Sequence, residues 1–367
     1  MTFGARALIR LGALKQNLQV IRSAAPDAMV MAVIKANAYG HGMVEVAKTL
    51  DDADSFAVAR LPEAILLHES GIDKPIVLLS GVLTASELIE ATLRGFEIVV
   101  HCKEQIELLE AAKPGRNTVW LKFDTGMNRL GFSTEGADSL IERLRVCAAV
   151  GELRLMSHLA SADELNNSMT EDQFARFRDI AEGFEGAVSI ANTPATLGWP
   201  QIADADGLLG FEGTHWIRPG LALFGISPFA GRNGVDLGLT PVMQFEARLI
   251  SIKQLREGAR VGYQGKYQSQ ADTMIGIISA GYGDGYTRHF RSGTPVLVNG
   301  RRVPLIGNVS MDMIAVDLGD DTSDEVGDIA ILWGDGLPVE EVAPWADAIP
   351  YELVCGVMHR ETSEIVD

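Results

Sequence analysis

Between Met29 and about Gly225, short runs of β-forming apolar residues alternate with longer segments whose apolar positions recur at helical spacing. The runs fall at 29–37 (MVMAVIKAN), 56–59 (FAVA), 76–81 (IVLLSG), 97–101 (EIVVH), 119–124 (VWLKFD), 155–161 (LMSHLAS), 187–193 (AVSIANT) and 216–225 (WIRPGLALFG). Thr84 and Glu87 stand at capping-box spacing ahead of LIEATLRG, and Gly95 follows as a stop signal. Thr170 and Gln173 repeat that spacing before a stripe of Phe174, Phe177, Ile180, Ala181 and Phe184. Strand–helix units in this number predict an α/β fold, a closed (β/α)8 TIM-like barrel. An open doubly wound sheet is the rival, but no clear Gly-rich phosphate turn follows the first strand.

Past Val235 the pattern changes to strict alternation. In TPVMQFEARLISIK, Met243, Phe245, Ala247 and Leu249 share one face, with Gln244, Glu246 and Arg248 on the other. Asn299–Gly300 sits between β-formers, a two-residue hairpin signal. The expected layout is therefore a barrel over 11–234 and a mainly β C-terminal domain over 235–367, with residues 1–10 as a separate leading strand.

Composition narrows the function. A 367-residue chain that is 47% hydrophobic holds a large core, and a net charge of −18 disfavours nucleic acid and anionic membranes as partners. Cys102, Cys147 and Cys355 lack metal-like spacing and read as reduced thiols. With no signal peptide and no run of the ~18 apolar residues of a membrane span, the expected location is cytoplasmic.

The barrel reading places chemistry at the C-terminal ends of the strands. Lys35 closes the first run, Lys122 and Asp124 the fifth with Arg129 just beyond, and His158 lies late in the sixth. Asn192 and Thr193 end the seventh, and Arg218 with Pro219–Gly220 lies in the eighth. A lysine there can snorkel to solvent or pair with a carboxylate. Alternatively, burial frees its amine from the usual pKa of ~10.4 to act as a Schiff-base nucleophile. Thr193, Gly220 and Tyr39 could cradle a phosphate, or serve as a strand-end turn, a tight turn and a packed ring. In the β domain, GYGDGY (281–286) and SMDM (310–313) read by themselves as a Gly–Asp turn and a strand with core and surface positions.

AVIKANAYGHG, KFDTGMNRLGF, SHLASAD, IRPGLALFG, GYGDGY, SMDM and YELVC, in this order, resemble the alanine racemase family over essentially the whole chain. The resemblance implies a homodimer with shared active sites, pyridoxal 5'-phosphate as cofactor, and D-alanine supply for peptidoglycan. It implies that the first residues, near RALIRL, pack with the C-terminal domain. By position, Lys35 binds the cofactor covalently and serves the D-alanine α-proton. Tyr282 comes from the other subunit and serves the L-alanine α-proton. Arg218 meets the pyridine nitrogen, and His158 links Arg218 to Tyr282. Arg129 and Met311 bind the substrate carboxylate. Tyr39, Thr193, Gly220, Leu221 and Tyr351 hold the phosphate, with Lys122, often carbamylated in the family, and Asp312 in support. The context of Thr193 (IANTPATLGWP) departs from the family's usual one.

Two bases make sense for racemisation, because a proton leaves one face of a planar carbanion and returns on the other. Lysine and tyrosine have similar free pKa values, ~10.4 and ~10, and suit the two directions evenly. A cofactor-storing barrel would lack GYGDGY and SMDM, and a decarboxylase of the same class would carry a cysteine within its β-domain motifs. Serine or broad-specificity racemisation stays within the same reaction class.

Overall fold

The computed structural model describes residues 4–203, 213–320, 322–357 and 364–366. Arg6–Arg10 forms β1. The next eight strands, β2 (Met29–Val33), β3 (Ser55–Val58), β4 (Ile76–Leu78), β5 (Glu97–Val100), β6 (Asn117–Lys122), β7 (Val150–Met156), β8 (Val188–Asn192) and β9 (His215–Arg218), close into a parallel barrel. Val30 pairs with Ile217, so the first strand seals against the last.

The barrel strands are shorter than the apolar runs suggest. β2 stops at Val33, before Lys35, and β7 stops at Met156, before His158. The last run splits: β9 ends at Arg218, and Leu221–Phe224 winds into a 3-10 turn ahead of Gly225 at φ 80°. Apolar composition alone does not separate a strand from the buried loop that follows it at a barrel mouth.

Helix 85–94 has the expected ends, with Thr84 accepting from Glu87 N and Gly95 left-handed at φ 71°. Helix Ser168–Ala181 starts earlier than Thr170 suggests, because Asn167 caps it by accepting from Met169 N. Thr170 lies inside that helix, Phe184 lies beyond its end, and the Gln173 side chain donates to His158 O at 3.0 Å.

One layer below the mouth, the barrel interior is plugged. Trp120 Nε1 donates to Glu97 at 2.7 Å, and Arg154 pairs with Glu97 at 3.1 Å while lying over the Trp120 and Trp216 rings.

In the β domain, β10 (Met243–Leu255) spans 13 residues. Its first half pairs with 329–333 and its second half with 273–278, with a register break between Leu249 and Ser251. Through strands 314–319, 301–306 and 295–298 the sheet thus curls back onto β10. Asn299 and Gly300 both have positive φ, as a tight hairpin between Val298 and Arg301 requires. β1 pairs antiparallel with β10, matching Arg6 to Glu246. The polar face of β10 is consequently covered rather than wet: Gln244 and Glu246 are buried, taking hydrogen bonds from Arg10 and Arg6 at 2.8 Å each. No helix among the described residues is long and apolar enough to cross a membrane.

Candidate active site

Lys35 sits on an unusual backbone. The chain stays tied to the barrel as far as Ile34, whose N–H donates to Ala57 O at 3.0 Å. Ala36, Asn37, Ala38 and Tyr39 then all adopt φ of 53–54°, followed by Gly40 at 82°. A left-handed conformation costs an L-residue ~1–2 kcal/mol, so four in a row must be held by their surroundings. Ala36 N donates to Glu63 at 2.7 Å, Met43 N to the Asn37 side chain at 2.9 Å, and Gly42 N to Asn37 O at 3.0 Å. Gly40 is required twice over, by its φ and because a Cβ there would lie 2.3 Å from Val354 O. That close approach docks the turn on helix Pro350–Cys355 and places the Tyr39 and Tyr351 rings 6.0 Å apart.

Lys35, Tyr39 and Tyr351 line a cavity of about 300 Å³ at the barrel mouth, together with Lys122, Arg129, His158, Thr193, Arg218, Gly220 and Leu221. Thr193 opens the helix after β8, and its hydroxyl accepts from Gly220 N at 2.9 Å. A Cβ at Gly220 would lie 2.5 Å from the Tyr39 hydroxyl, so only glycine leaves that corner open.

Arg218 is buried and donates to the Ser189 hydroxyl, to Ser157 O at 2.5 Å and to Ile190 O at 3.3 Å. Burial draws it down to about 9, so it remains a cation at neutral pH. Burial, then Arg218, holds His158 well below its usual value, leaving the imidazole neutral. The Lys35 amine is lowered by burial and by Arg129, against an opposing pull from Glu63. Lys122, 8% exposed, falls to about 8 through burial, Arg218 and Arg129. The Asp124 carboxylate is already engaged by the N–H groups of Gly126, Asn128 and Arg129 at 2.9–3.1 Å. Four basic side chains therefore face one cavity with little carboxylate to balance them, a setting for a polyanionic ligand. Among the described residues no His/Cys/Asp/Glu group is arranged to hold a metal.

Tyr282, Met311 and Asp312 are absent from this cavity. They share a separate surface of the β domain, where Tyr282 N donates to Ser310 O at 3.0 Å and Gly283 N to Met311 O at 2.8 Å. Gly281 permits that docking, since a Cβ would lie 2.3 Å from both Ser310 O and Met311 O. Tyr282 and Met311 are 40% and 53% exposed. Tyr286 by contrast is fully buried, its ring 4.3 Å from Phe290, and takes no part.

Sequence reasoning missed Glu63, Ser157, Ser189 and Gln173, which hold the mouth residues in place. Glu63 carried a faint signal, standing just after Pro62 at a helix start. The others act through backbone or hydroxyl contacts that leave no pattern.

The model of the alanine racemase N-terminal domain matches residues 9–228, and that of the C-terminal domain matches residues 242–365. The chain belongs to the alanine racemase family. It is 46% identical to an alanine racemase of Vibrio parahaemolyticus over 362 residues, 98% of each chain. It is 45% identical to the biosynthetic alanine racemase of Escherichia coli over 366 residues, 99% of each. The crystal structure of the biosynthetic alanine racemase from Pseudomonas aeruginosa superposes with a TM-score of 0.93 at 40% identity, covering 100% of both chains. These alanine racemases match both parts of the chain together, the barrel and the β domain.

Proposed function

We propose that the protein interconverts L- and D-alanine with pyridoxal 5'-phosphate, at sites that join Lys35 of one copy to Tyr282 of a second. The observation that carries this reading is the Lys35 amine, set by a strained turn over a cavity whose cations suit a phosphate and a carboxylate. Tyr39, Thr193, Gly220, Leu221 and Tyr351 would hold the phosphate, in the corner that a Cβ at Gly220 would fill. Arg218 would donate to the ring nitrogen, and as a persistent cation it has no proton to give up there. Arg129, with the Met311 backbone N–H of the second copy, would take the alanine carboxylate. When bound, the cofactor supplies the electron sink that makes the α-proton removable.

The lowered amine of Lys35 supplies a base for one face of the substrate. The cavity's own tyrosines are poor candidates for the other face. Burial pushes Tyr39 up, and burial with Asp163 pushes Tyr351 up to about 12. Tyr282 shares an exposed apolar surface of the β domain with Met311 and Met313. A second copy docking this patch over the barrel mouth would complete the site.

The test is α-proton exchange in deuterium oxide with D- and L-alanine, serine and lysine as separate substrates. Borohydride reduction and peptide mapping of the cofactor-loaded protein accompany it. The expected result is exchange fastest with alanine, and cofactor fixed on Lys35. Absence of exchange with alanine, or label on another lysine, overturns the reading.

A further inference from the structure

Glu63 holds three backbone N–H groups from two separate parts of the chain. Its Oε2 accepts from Ala59 N at 2.8 Å and Arg60 N at 3.0 Å, while its Oε1 accepts from Ala36 N at 2.7 Å. The first two bonds are ordinary for the third residue of a helix, here Leu61–Glu69. The next unit of the barrel shows the plain version: Glu87 accepts from Leu83 N at 2.8 Å and Thr84 N at 3.2 Å through a single oxygen. At Glu63 the second oxygen turns instead to the residue after Lys35.

The peptide joining Lys35 to Ala36 is planar, so anchoring its N–H fixes the plane that contains the Lys35 Cα. Ala36 is also where the left-handed run begins. We infer that Glu63 is a positioning residue for the reaction, its carboxylate clamping the Lys35–Ala36 peptide so that the amine is presented to the cavity. The inference rests on the reading of Lys35 as the cofactor-binding amine. A carboxylate is needed because glutamine offers one acceptor oxygen, and its amide N–H groups would face backbone donors.

Three full-length proteins test it: Glu63→Gln, Glu63→Asp and, as the cap-only control, Glu87→Gln. The readouts are hydrogen exchange at Ala36 and Ala59, melting temperature, and the rate at which cofactor-free protein captures pyridoxal phosphate. In Glu63→Gln, exchange at Ala36 should rise and capture should slow at least about tenfold. Glu63→Asp should recover part of the loss, and Glu87→Gln should capture at the wild-type rate. Wild-type capture by folded Glu63→Gln, or equal slowing in Glu87→Gln, overturns the clamp and leaves Glu63 a helix cap. In the wild-type protein, hydrogen exchange at Ala36 should be protected together with Ala59, since one carboxylate holds both amides. That measurement needs no variant, and an Ala36 amide exchanging at the unprotected rate also overturns the clamp. Failure of the wild-type protein to capture the cofactor at all would instead sink the proposed function.

Discussion

The Arg218 guanidinium lies 3.3 Å from Nδ1 of His158, and both side chains are enclosed by the barrel mouth. A permanent donor there makes Nδ1 the acceptor of a neutral ring, which leaves the proton on Nε2. The pair thus aims one N–H outward from a fixed cation. Nitrogen NMR of labelled His158 should show the Nε2–H tautomer across pH 6 to 8. An imidazolium signature in that range would contradict the arrangement, and Arg218→Met should move the titration upward.

Lys35→Ala should abolish racemisation, and Tyr282→Phe should slow the L-to-D direction more than the reverse. The two variant chains mixed into one dimer provide a sharper test, read out as the L-to-D rate. If each site joins Lys35 of one copy to Tyr282 of the other, the mixed dimer regains one intact site. An L-to-D rate in a verified mixed dimer no higher than that of the Tyr282→Phe protein would refute shared sites.

Lys122 at about 8 keeps an appreciable neutral amine at pH 7.5–8, available to carbon dioxide. Attack by the nitrogen forms a carbamate and releases a proton, placing a carboxylate among Arg129, Arg218 and Lys35. Intact-mass spectrometry under bicarbonate should show the gain of one carbon dioxide, lost in Lys122→Gln. A fully active protein with Lys122 unmodified would rule the carbamate out as a requirement.

Gly220 has φ of −125°, which alanine also adopts, so Gly220→Ala strains no left-handed backbone. Its new Cβ would instead press on the Tyr39 hydroxyl. The expected outcome is a melting temperature close to wild type with pyridoxal phosphate affinity reduced at least about tenfold, roughly 1.4 kcal/mol. Unchanged affinity would remove this corner from the phosphate site.

His215 is buried with both ring nitrogens unpartnered among the described residues, and burial followed by Arg218 lowers it to about 4. Between that value and ~6.5 the unfolded chain binds a proton that the folded chain refuses, so stability falls as pH drops through this window. The loss at pH 5 is ~2 kcal/mol from this residue. His215→Gln should flatten the acid limb of a denaturation series by about one proton, and an unchanged slope would count against it.

Periodicity made the barrel and the β domain legible, because it depends on neighbours a few positions apart, whereas the cavity residues were named mainly through resemblance to the alanine racemase family. Thr84 and Gly95 end their helix as their residue types demand, and Asn299–Gly300 turns the hairpin. Lys35 was recognisable as a lysine at a strand end, but its backbone was not. Asn37 tolerates a left-handed backbone, but Ala36, Ala38 and Tyr39 do not favour one; Glu63 anchors the start of the run from far along the chain.

The same distinction explains Gln244 and Glu246, whose alternation reads as a wet face until Arg6 and Arg10 cross the whole chain to cover them. It also explains why the matched residues divide into a cavity and a remote patch around Tyr282. Local pattern reports which face a residue occupies, through the fixed periods of helix and strand. Which faces meet depends on packing between distant segments, and those contacts exist only in the folded protein.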